Sequence, residues 1–168
     1  MNAQVPTNQM HDIVEWTSSD DPLLEGLAHI AQSVERATTL DQLLHLSLVE
    51  LIPLCRADRA IALLKDVQGR EIWVYEHPQS DGAAELTLDD IPGAAETMRL
   101  RRPMIVHPQE PALLARDVRV LLVAPLIARD EALGALAICS AHATRTFDSK
   151  DVALIRALSG QIALVIIP

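Results

Sequence analysis

Two strongly apolar segments in the second half of the chain constrain its fold more than any other feature. They span residues 118–127, interrupted by Pro125, and residues 132–140, and a polar turn at 128–131 separates them. Because neither segment alternates apolar with polar residues, the pair predicts a β-hairpin that is buried on both faces. Apolar runs of this length fall far short of the roughly 18–20 residues that cross a bilayer, so the sequence predicts no membrane span.

A second hairpin is predicted nearer the amino end. Residues 59–64 are nearly all apolar, residues 65–69 have turn chemistry, and residues 70–77 alternate. Alternation sorts the side chains of that last strand onto two faces: Ile72, Val74 and Glu76 on one, and Glu71, Trp73, Tyr75 and His77 on the other. With further short strands at 85–88 and 104–106, the sequence predicts about six strands.

Helical periodicity precedes the first hairpin. Residues 21–37 begin with an Asp-Pro pair, a typical N-cap and first helical residue, and carry one apolar stripe: Leu23, Leu27, Ile30 and Val34. Residues 39–42 fit a capping box for a second helix. Pro53 has no amide hydrogen, so this second helix is expected to end or kink close to Ile52.

Two further helices are predicted beyond the first hairpin. A short one follows the acidic pair at 89–90 and reaches about Leu100. A long closing helix is capped by Asp148, and its apolar stripe is Val152, Ile155, Leu158, Ile162 and Val165. The chain therefore places helices before and after its strands.

The composition fits one acidic domain. The chain has 168 residues, 49% of them apolar, and a net charge of −9 from 14 Lys and Arg against 23 Asp and Glu, which suits one sizeable core rather than two. Residues 1–20 lack helical or strand periodicity and are assigned to a flexible arm, and residues 21–168 to a single domain. An acidic chain is a poor partner for nucleic acid, and the missing secretory signal favours a cytoplasmic location. Cys55 and Cys139 are isolated and fit packed thiols.

Five short motifs in this order of elements resemble the GAF domain family. They are Ala-Asp-Arg-Ala at 57–60, Arg-Pro-Met-Ile-Val at 102–106, Val-Ala-Pro-Leu at 123–126, Leu-Gly-Ala-Leu at 133–136 and Phe-Asp-Ser-Lys-Asp at 147–151. The resemblance covers about residues 22–167. It implies an α+β domain with a central, mostly antiparallel sheet, the N- and C-terminal helices on one face, and loops and a short helix over the other.

The resemblance also implies a regulatory function in signal transduction. Members of the family bind small molecules, cyclic nucleotides, haem or bilins, and many serve only as dimerising modules beside kinases, cyclases, phosphodiesterases or transcriptional activators. The cyclic-nucleotide subset has a Glu where this chain has Val152, and an Asn and a Lys ahead of Phe147, which residues 141–146 lack. Bilin-binding relatives carry a Cys in the segment that here is 111–117, and this segment has none. The sequence therefore names no cofactor.

Four residues form the candidate ligand-binding set: Trp73, Tyr75, His77 and Arg116. The first three place flat rings with polar edges on one strand face, where they could stack on a planar guest; a core covered by the loops at 78–115 is the alternative. The cluster Arg99, Arg101 and Arg102 either attracts an anion or complements the dipole of the helix that it ends. His77 or His107 could ligate haem iron, as a His does in some members.

No arrangement typical of a catalytic site is found, so the chain is not expected to be an enzyme. A GAF-type sulfoxide reductase, the remote alternative, needs a set of cysteines that two scattered ones do not supply. We expect a sensory module that binds a small ligand or relays a signal, with a ligand-free dimerisation module as the alternative and the output domain in a longer protein or a partner. A homodimer is expected through apolar residues of the terminal helices: Leu24, Ala28, Ala31, Ala163, Leu164, Ile166 and Ile167.

Overall fold

The computed structural model describes residues 22–66, 68, 70 and 72–166, except for the side chains at positions 22, 23, 30, 33 and 34. Several predictions fall outside the described residues: the arm at 1–20, the cap Asp21, Glu71, Ile167 and the stripe members Leu23, Ile30 and Val34. In chain order the elements are α1 (Pro22–Arg36), α2 (Leu40–Leu54), β1 (Arg59–Lys65), β2 (Ile72–His77), a short 3₁₀ helix (Leu88–Asp90), α3 (Ala94–Leu100), β3 (Met104–Val106), α4 (Pro111–Ala115), β4 (Val120–Ala128), β5 (Glu131–Ser140) and α5 (Ser149–Ile166).

A five-stranded antiparallel sheet carries the fold, in the order β2-β1-β5-β4-β3. Both predicted hairpins are confirmed, because β1 pairs with β2 and β4 pairs with β5. The turn between β4 and β5 holds Arg129 and Asp130 at φ values of 50° and 62°, the left-handed conformation that a tight hairpin turn requires. At Gly134, β5 lies so close to β1 that a Cβ atom would overlap the carbonyl oxygen of Leu63; only glycine fits there.

The prediction of about six strands is wrong by one, because residues 85–88 form no strand. Leu86 is buried, but the chain then turns into the 3₁₀ helix. The Asp90 carboxylate accepts a hydrogen bond from the Thr87 backbone N–H at 2.8 Å and another from the Thr87 hydroxyl at 3.1 Å. This local capping competes with ladder formation and ends any extended run at residue 87.

Helices α2 and α5 cover one face of the sheet, and α1 packs against these two helices on the same side of the domain. The buried side chains of α2 and α5 and the inward residues of β1, β4 and β5 form one cluster, which we call the helix-side core. Its largest helical members are Leu44, Leu48, Leu51, Leu154, Ile155, Leu158 and Ile162. Burial of this apolar surface is the main force that holds the helices on the sheet.

Helix α2 begins with the predicted cap and ends close to the predicted position. The Thr39 hydroxyl oxygen accepts a hydrogen bond from the Gln42 backbone N–H at 3.1 Å, so the predicted cap is present. The helix includes Pro53 and ends at Leu54, two residues after Ile52 and therefore close to the predicted end. Because the proline lies in the last turn, its missing amide costs one hydrogen bond, and the ladder resumes with Cys55 N–H to the Leu51 carbonyl at 3.0 Å.

Short helices and loops cover the opposite face, as predicted. α3, α4 and the connecting loops bury a second cluster against the sheet, which we call the loop-side core. Its members include Ile61, Leu63, Leu86, Ile91, Met98, Leu113, Leu121 and Val123. The central strands are therefore buried on both faces, as their unbroken apolar sequences indicate.

The closing helix α5 has the predicted cap. The Asp151 backbone N–H donates to Asp148 Oδ1 at 2.9 Å, and the Asp148 backbone N–H donates to Asp151 Oδ2 at 3.0 Å. One member of the predicted stripe is wrong: Val165 is 49% exposed, whereas Ile166, four residues after Ile162, packs against the helix-side core. None of the described helices is both long and apolar enough to span a membrane.

Candidate functional site

The two faces of β2 meet different surroundings, as its alternation predicts. Ile72 and Val74 pack against the loop-side core, whereas Tyr75 packs against the helix-side core. The His77 ring meets the ring of His45 in α2 edge-on, with 5.4 Å between ring centroids. Trp73 shares the face of Tyr75 and is 51% exposed, so the alternative of a core covered by the loops does not hold for this indole.

An open groove with a volume of about 820 Å³ lies along β2, which is an edge strand of the sheet. Three elements line it: β2 with Trp73, Tyr75 and His77 among its residues, the first half of α2, and residues 79–87. Within the described chain, no backbone hydrogen bond joins residues 83–87 to β2. The groove therefore separates the sheet edge from the loop that follows it.

Tyr75 is connected to the first turn of α2. Asp41 lies in that turn and lines the groove with Tyr75. Burial, followed by hydrogen bonding to the Asp41 carboxylate and by its negative charge, raises the pKa of Tyr75 above its ordinary value of 10.0. A ligand that displaces either side chain would act directly on the start of α2.

The charged lining of the groove is acidic. Asp41 and Glu85 are exposed, Glu76 of β2 is also part of the lining, and the lining residues that the structure describes include no lysine or arginine. Leu48 and Val74 add apolar surface. Indole, phenol and imidazole rings beside carboxylates suit a ligand with an apolar or flat body and a few polar groups.

Arg116, the fourth predicted site residue, is not among the residues that line the groove, but it binds two of them, Glu76 and Ala84. Its Nε and Nη2 donate to the two carboxylate oxygens of Glu76 at 2.9 and 3.1 Å. Its terminal nitrogens also donate to the carbonyl oxygens of Ala112 and Ala84, at 3.0 and 2.7 Å. With its side chain only 3% exposed, Arg116 joins β2, the loop and α4.

A second arginine completes this ion-pair network. Arg59 Nη1 donates to Glu76 Oε2 at 3.0 Å and to the carbonyl oxygen of Pro78. Sequence reasoning missed the network because Glu76 meets partners 17 and 40 positions away. The available signal was a lone carboxylate on the apolar face of β2, which requires a cationic partner when buried.

The predicted arginine cluster and His107 do not line the groove. Arg99 and Arg102 are exposed, and Arg101 ends α3 at a φ of 58° and donates to the Asp130 carbonyl oxygen at 2.6 Å. His107 is exposed beyond β3. Across the described part of the chain, no group of three or more His, Cys, Asp or Glu residues could hold a metal ion.

Each core contains one free thiol. Cys55 belongs to the helix-side core and Cys139 to the loop-side core, and both are buried. Burial raises the pKa of each thiol from 9.0 to about 12. The neutral, packed thiols agree with the prediction from their isolated positions, and they lack the thiolate character that reactive cysteines need.

Together these features define an α+β sheet domain with terminal helices layered on one face and a groove at one sheet edge. A model of the GAF domain family matches residues 39–166. Because this match spans most of the chain, the chain belongs to the GAF domain family. No curated protein matches it.

Solved structures of GAF domains share the fold. The GAF domain of a phosphoenolpyruvate-protein phosphotransferase from Coxiella burnetii has a TM-score of 0.72 and 23% identity over 88% of this chain and 94% of that one. The corresponding Acinetobacter domain has a TM-score of 0.71 and 14% identity, covering 87% of this chain and 93% of that one. The chromophore binding domain of Stigmatella aurantiaca phytochrome P1 has a TM-score of 0.68 and 15% identity, covering 90% and 62%. At these identities the likeness establishes the fold alone.

Proposed function

We propose that the chain is a non-catalytic sensory domain of a signal-transduction protein, and that it binds a small ligand in the groove beside β2. The observation that carries this proposal is the double role of α2, which lines the groove and also packs against α1 and α5. A chromophore binding domain on the same fold supports ligand binding by this architecture. The output domain would lie in a longer protein or a partner, in a cytoplasmic setting.

The contacts of α2 supply a route from the groove to the terminal helices. Asp41, at the start of α2, binds Tyr75 across the groove, and Leu48, one turn past His45, lines the groove and is buried in the helix-side core. That core also contains Leu154 and Leu158 of α5. Because packed interiors respond to displacement by discrete shifts rather than by continuous deformation, ligand binding would reposition α5 through α2.

We further propose a homodimer through α1 and α5. Leu24 is 42% exposed, Leu164 is 72% exposed and Val165 is 49% exposed, and Ala28 and Ala31 are also exposed. Two residues of the predicted interface are not available for it: Ala163 is fully buried, and Ile166 packs against the helix-side core. The remaining exposed apolar side chains lie on the two helices that the groove can influence, which suits an interface that relays a signal.

The test of ligand binding uses protein purified without additives. We expect native mass spectrometry and the absorption spectrum to reveal a retained small molecule, and Trp73→Ala to release it. Ile105→Ala is the matched control, because Ile105 is 50% exposed and lies on the opposite edge strand. If the Trp73 variant retains the small molecule, or if both variants lose it equally, the groove is not its binding site.

The test of the dimer is light scattering during gel filtration. We expect a dimer that Leu164→Glu converts to a monomer and that Ile105→Glu leaves intact, because β3 lies outside the proposed interface. A monomeric parent protein would exclude this route of signalling. A dimer without any retained or added ligand would instead support the alternative, a ligand-free dimerisation module, which the exposure of Leu164 also favours.

A further inference from the structure

The carboxylates of the groove differ in how far the protein neutralises them. Glu76 is held by two arginines. Asp41 has the Tyr75 hydroxyl as its partner, and in the described chain neither Asp41 nor Glu85 forms an ion pair with a lysine or arginine. Both are exposed. The groove therefore presents two uncompensated negative charges, on a chain whose net charge is −9.

The same groove exposes an indole ring. Trp73 is 51% exposed, and it lines the groove together with Tyr75 and Asp41. Trp73 and Tyr75 are successive residues on one face of β2, and such residues lie about 6.6 Å apart along a strand. An ammonium group is attracted both to a carboxylate and to an aromatic face.

We propose, on the basis of the proposed ligand-binding function, that the ligand is a small organic cation that carries alkylammonium groups. One ammonium group lies between Asp41 and the indole of Trp73, and a second faces Glu85. The alkyl portion covers the apolar surface that Leu48 and Val74 contribute to the lining.

Anionic ligands fit the groove poorly. A phosphate or carboxylate group would meet Asp41 and Glu85 with no lysine or arginine among the described lining residues. Two guanidinium groups contact lining residues of the groove, those of Arg59 and Arg116, and both already donate to Glu76 and to backbone carbonyl groups. An anion would have to break these bonds and leave the Glu76 carboxylate unpaired in a partly buried site.

The experiment titrates 1,4-diaminobutane into the full chain with Trp16→Phe, so that tryptophan fluorescence reports Trp73 alone. We expect saturable binding in the millimolar range, because exposed ion pairs and cation–π contacts are individually weak. Uncharged 1,4-butanediol, of the same length, should produce no saturable change. Inorganic phosphate, the anionic probe, should also produce none.

Two variants and their controls assign the binding to the groove. Asp41→Asn should weaken diamine binding about threefold, and Glu131→Gln, which removes an exposed charge elsewhere and changes the net charge equally, should not. Trp73→Ala, followed by calorimetry because the fluorophore is lost, should weaken it about fivefold, and Ile105→Ala should not. Circular dichroism of each variant confirms that the fold is retained.

The outcomes separate the two proposals. Equal binding of the diol, equal effects of Asp41→Asn and Glu131→Gln, or no saturable diamine binding each overturn the assignment of a cationic ligand. If a retained compound without an ammonium group is nevertheless released by Trp73→Ala, the cation assignment fails and the groove remains the binding site. If no compound is retained and no probe binds, both proposals fail.

Discussion

The two sides of β2 differ in how their neighbouring polar residues, Glu76 and Tyr75, are bound by the rest of the protein. Glu76, on the loop side, is bound by two arginines, and its side chain is 15% exposed. Tyr75, on the helix side, is bound by one carboxylate that remains exposed. A buried carboxylate with matched cations contributes to stability mainly because removing a partner is costly. An exposed carboxylate beside aromatic rings retains free interaction capacity, so the helix side is the side suited to binding.

Removing an arginine partner of Glu76 tests whether the loop side of β2 is structural. Arg116→Ala should lower the free energy of unfolding by about 3 kcal/mol, because Glu76 loses its bidentate partner in a partly buried site and two carbonyl groups lose their donor. Urea denaturation measures the change. Arg119→Ala is the control: its ion pair with Asp117 is largely exposed, so the expected change is within about 0.5 kcal/mol. Similar values for both variants would contradict the structural role of Arg116.

The adjacent residues Ile72 and Trp73 of β2 should differ in how much their packing contributes to stability. Ile72→Ala should cost about 2 kcal/mol, because the side chain packs against the loop-side core. Trp73→Ala should cost no more than about 1 kcal/mol despite the larger ring, since half of it is already exposed. Thermal or urea unfolding of both variants checks the order. A larger loss for the Trp73 variant would make that residue part of the core.

The sequence predicts the sorting of β2 into two faces but not what each face meets. A strand has a period of two residues, so alternation alone separates Tyr75 from Glu76. Whether helices or loops cover a given face depends on contacts between distant parts of the chain. For the same reason the sequence placed Arg116 with Trp73 and did not reveal its pairing with Glu76, because that pair joins residues 40 positions apart.

Local signals explain the remaining successes and errors. Caps at Thr39 and Asp148 were predictable because their partners lie three residues away. The predicted strand at 85–88 was wrong because a local signal was overlooked. The Thr87–Asp90 cap was present in the sequence, and it outweighs the weak strand pattern. Pro53 is accommodated in α2 because Leu51 and Leu54 pack against the helix-side core. Helix propensity, which considers each residue separately, does not include this packing.

The rates at which the two buried thiols react with a thiol reagent should show which side of the domain opens first. In the parent protein we expect both thiols to react slowly with a thiol reagent, because each is buried and has a pKa of about 12. In Arg116→Ala, Cys139 should react before Cys55, since Cys139 lies in the loop-side core and the charges of Arg59 and Glu76 act on it. Mass spectrometry of labelled peptides separates the two rates. Faster labelling of Cys55 would place the weakened region on the helix side.

The pKa of Tyr75 tests the contact that the ligand would disturb. Tyr75 is the sole tyrosine of the chain, so tyrosinate absorbance titrates this one group. Burial, the hydrogen bond to Asp41 and the charge of Asp41 all raise its pKa; Asp41→Asn removes the charge and should lower the pKa toward 10.0. Glu131→Gln, which changes the net charge equally, should leave it in place.

The same shift sets the sign of a pH effect on stability. Because the folded state holds the phenol proton more tightly than the unfolded chain, the contribution of Tyr75 is complete below the unfolded pKa near 10.0 and declines as the pH rises through the folded value. Unfolding measured between neutral pH and that range should therefore show a shallower loss of stability in Asp41→Asn than in the parent protein. An unchanged Tyr75 titration in that variant would mean that burial alone raises the pKa, and that the groove and α2 are not connected through this hydrogen bond.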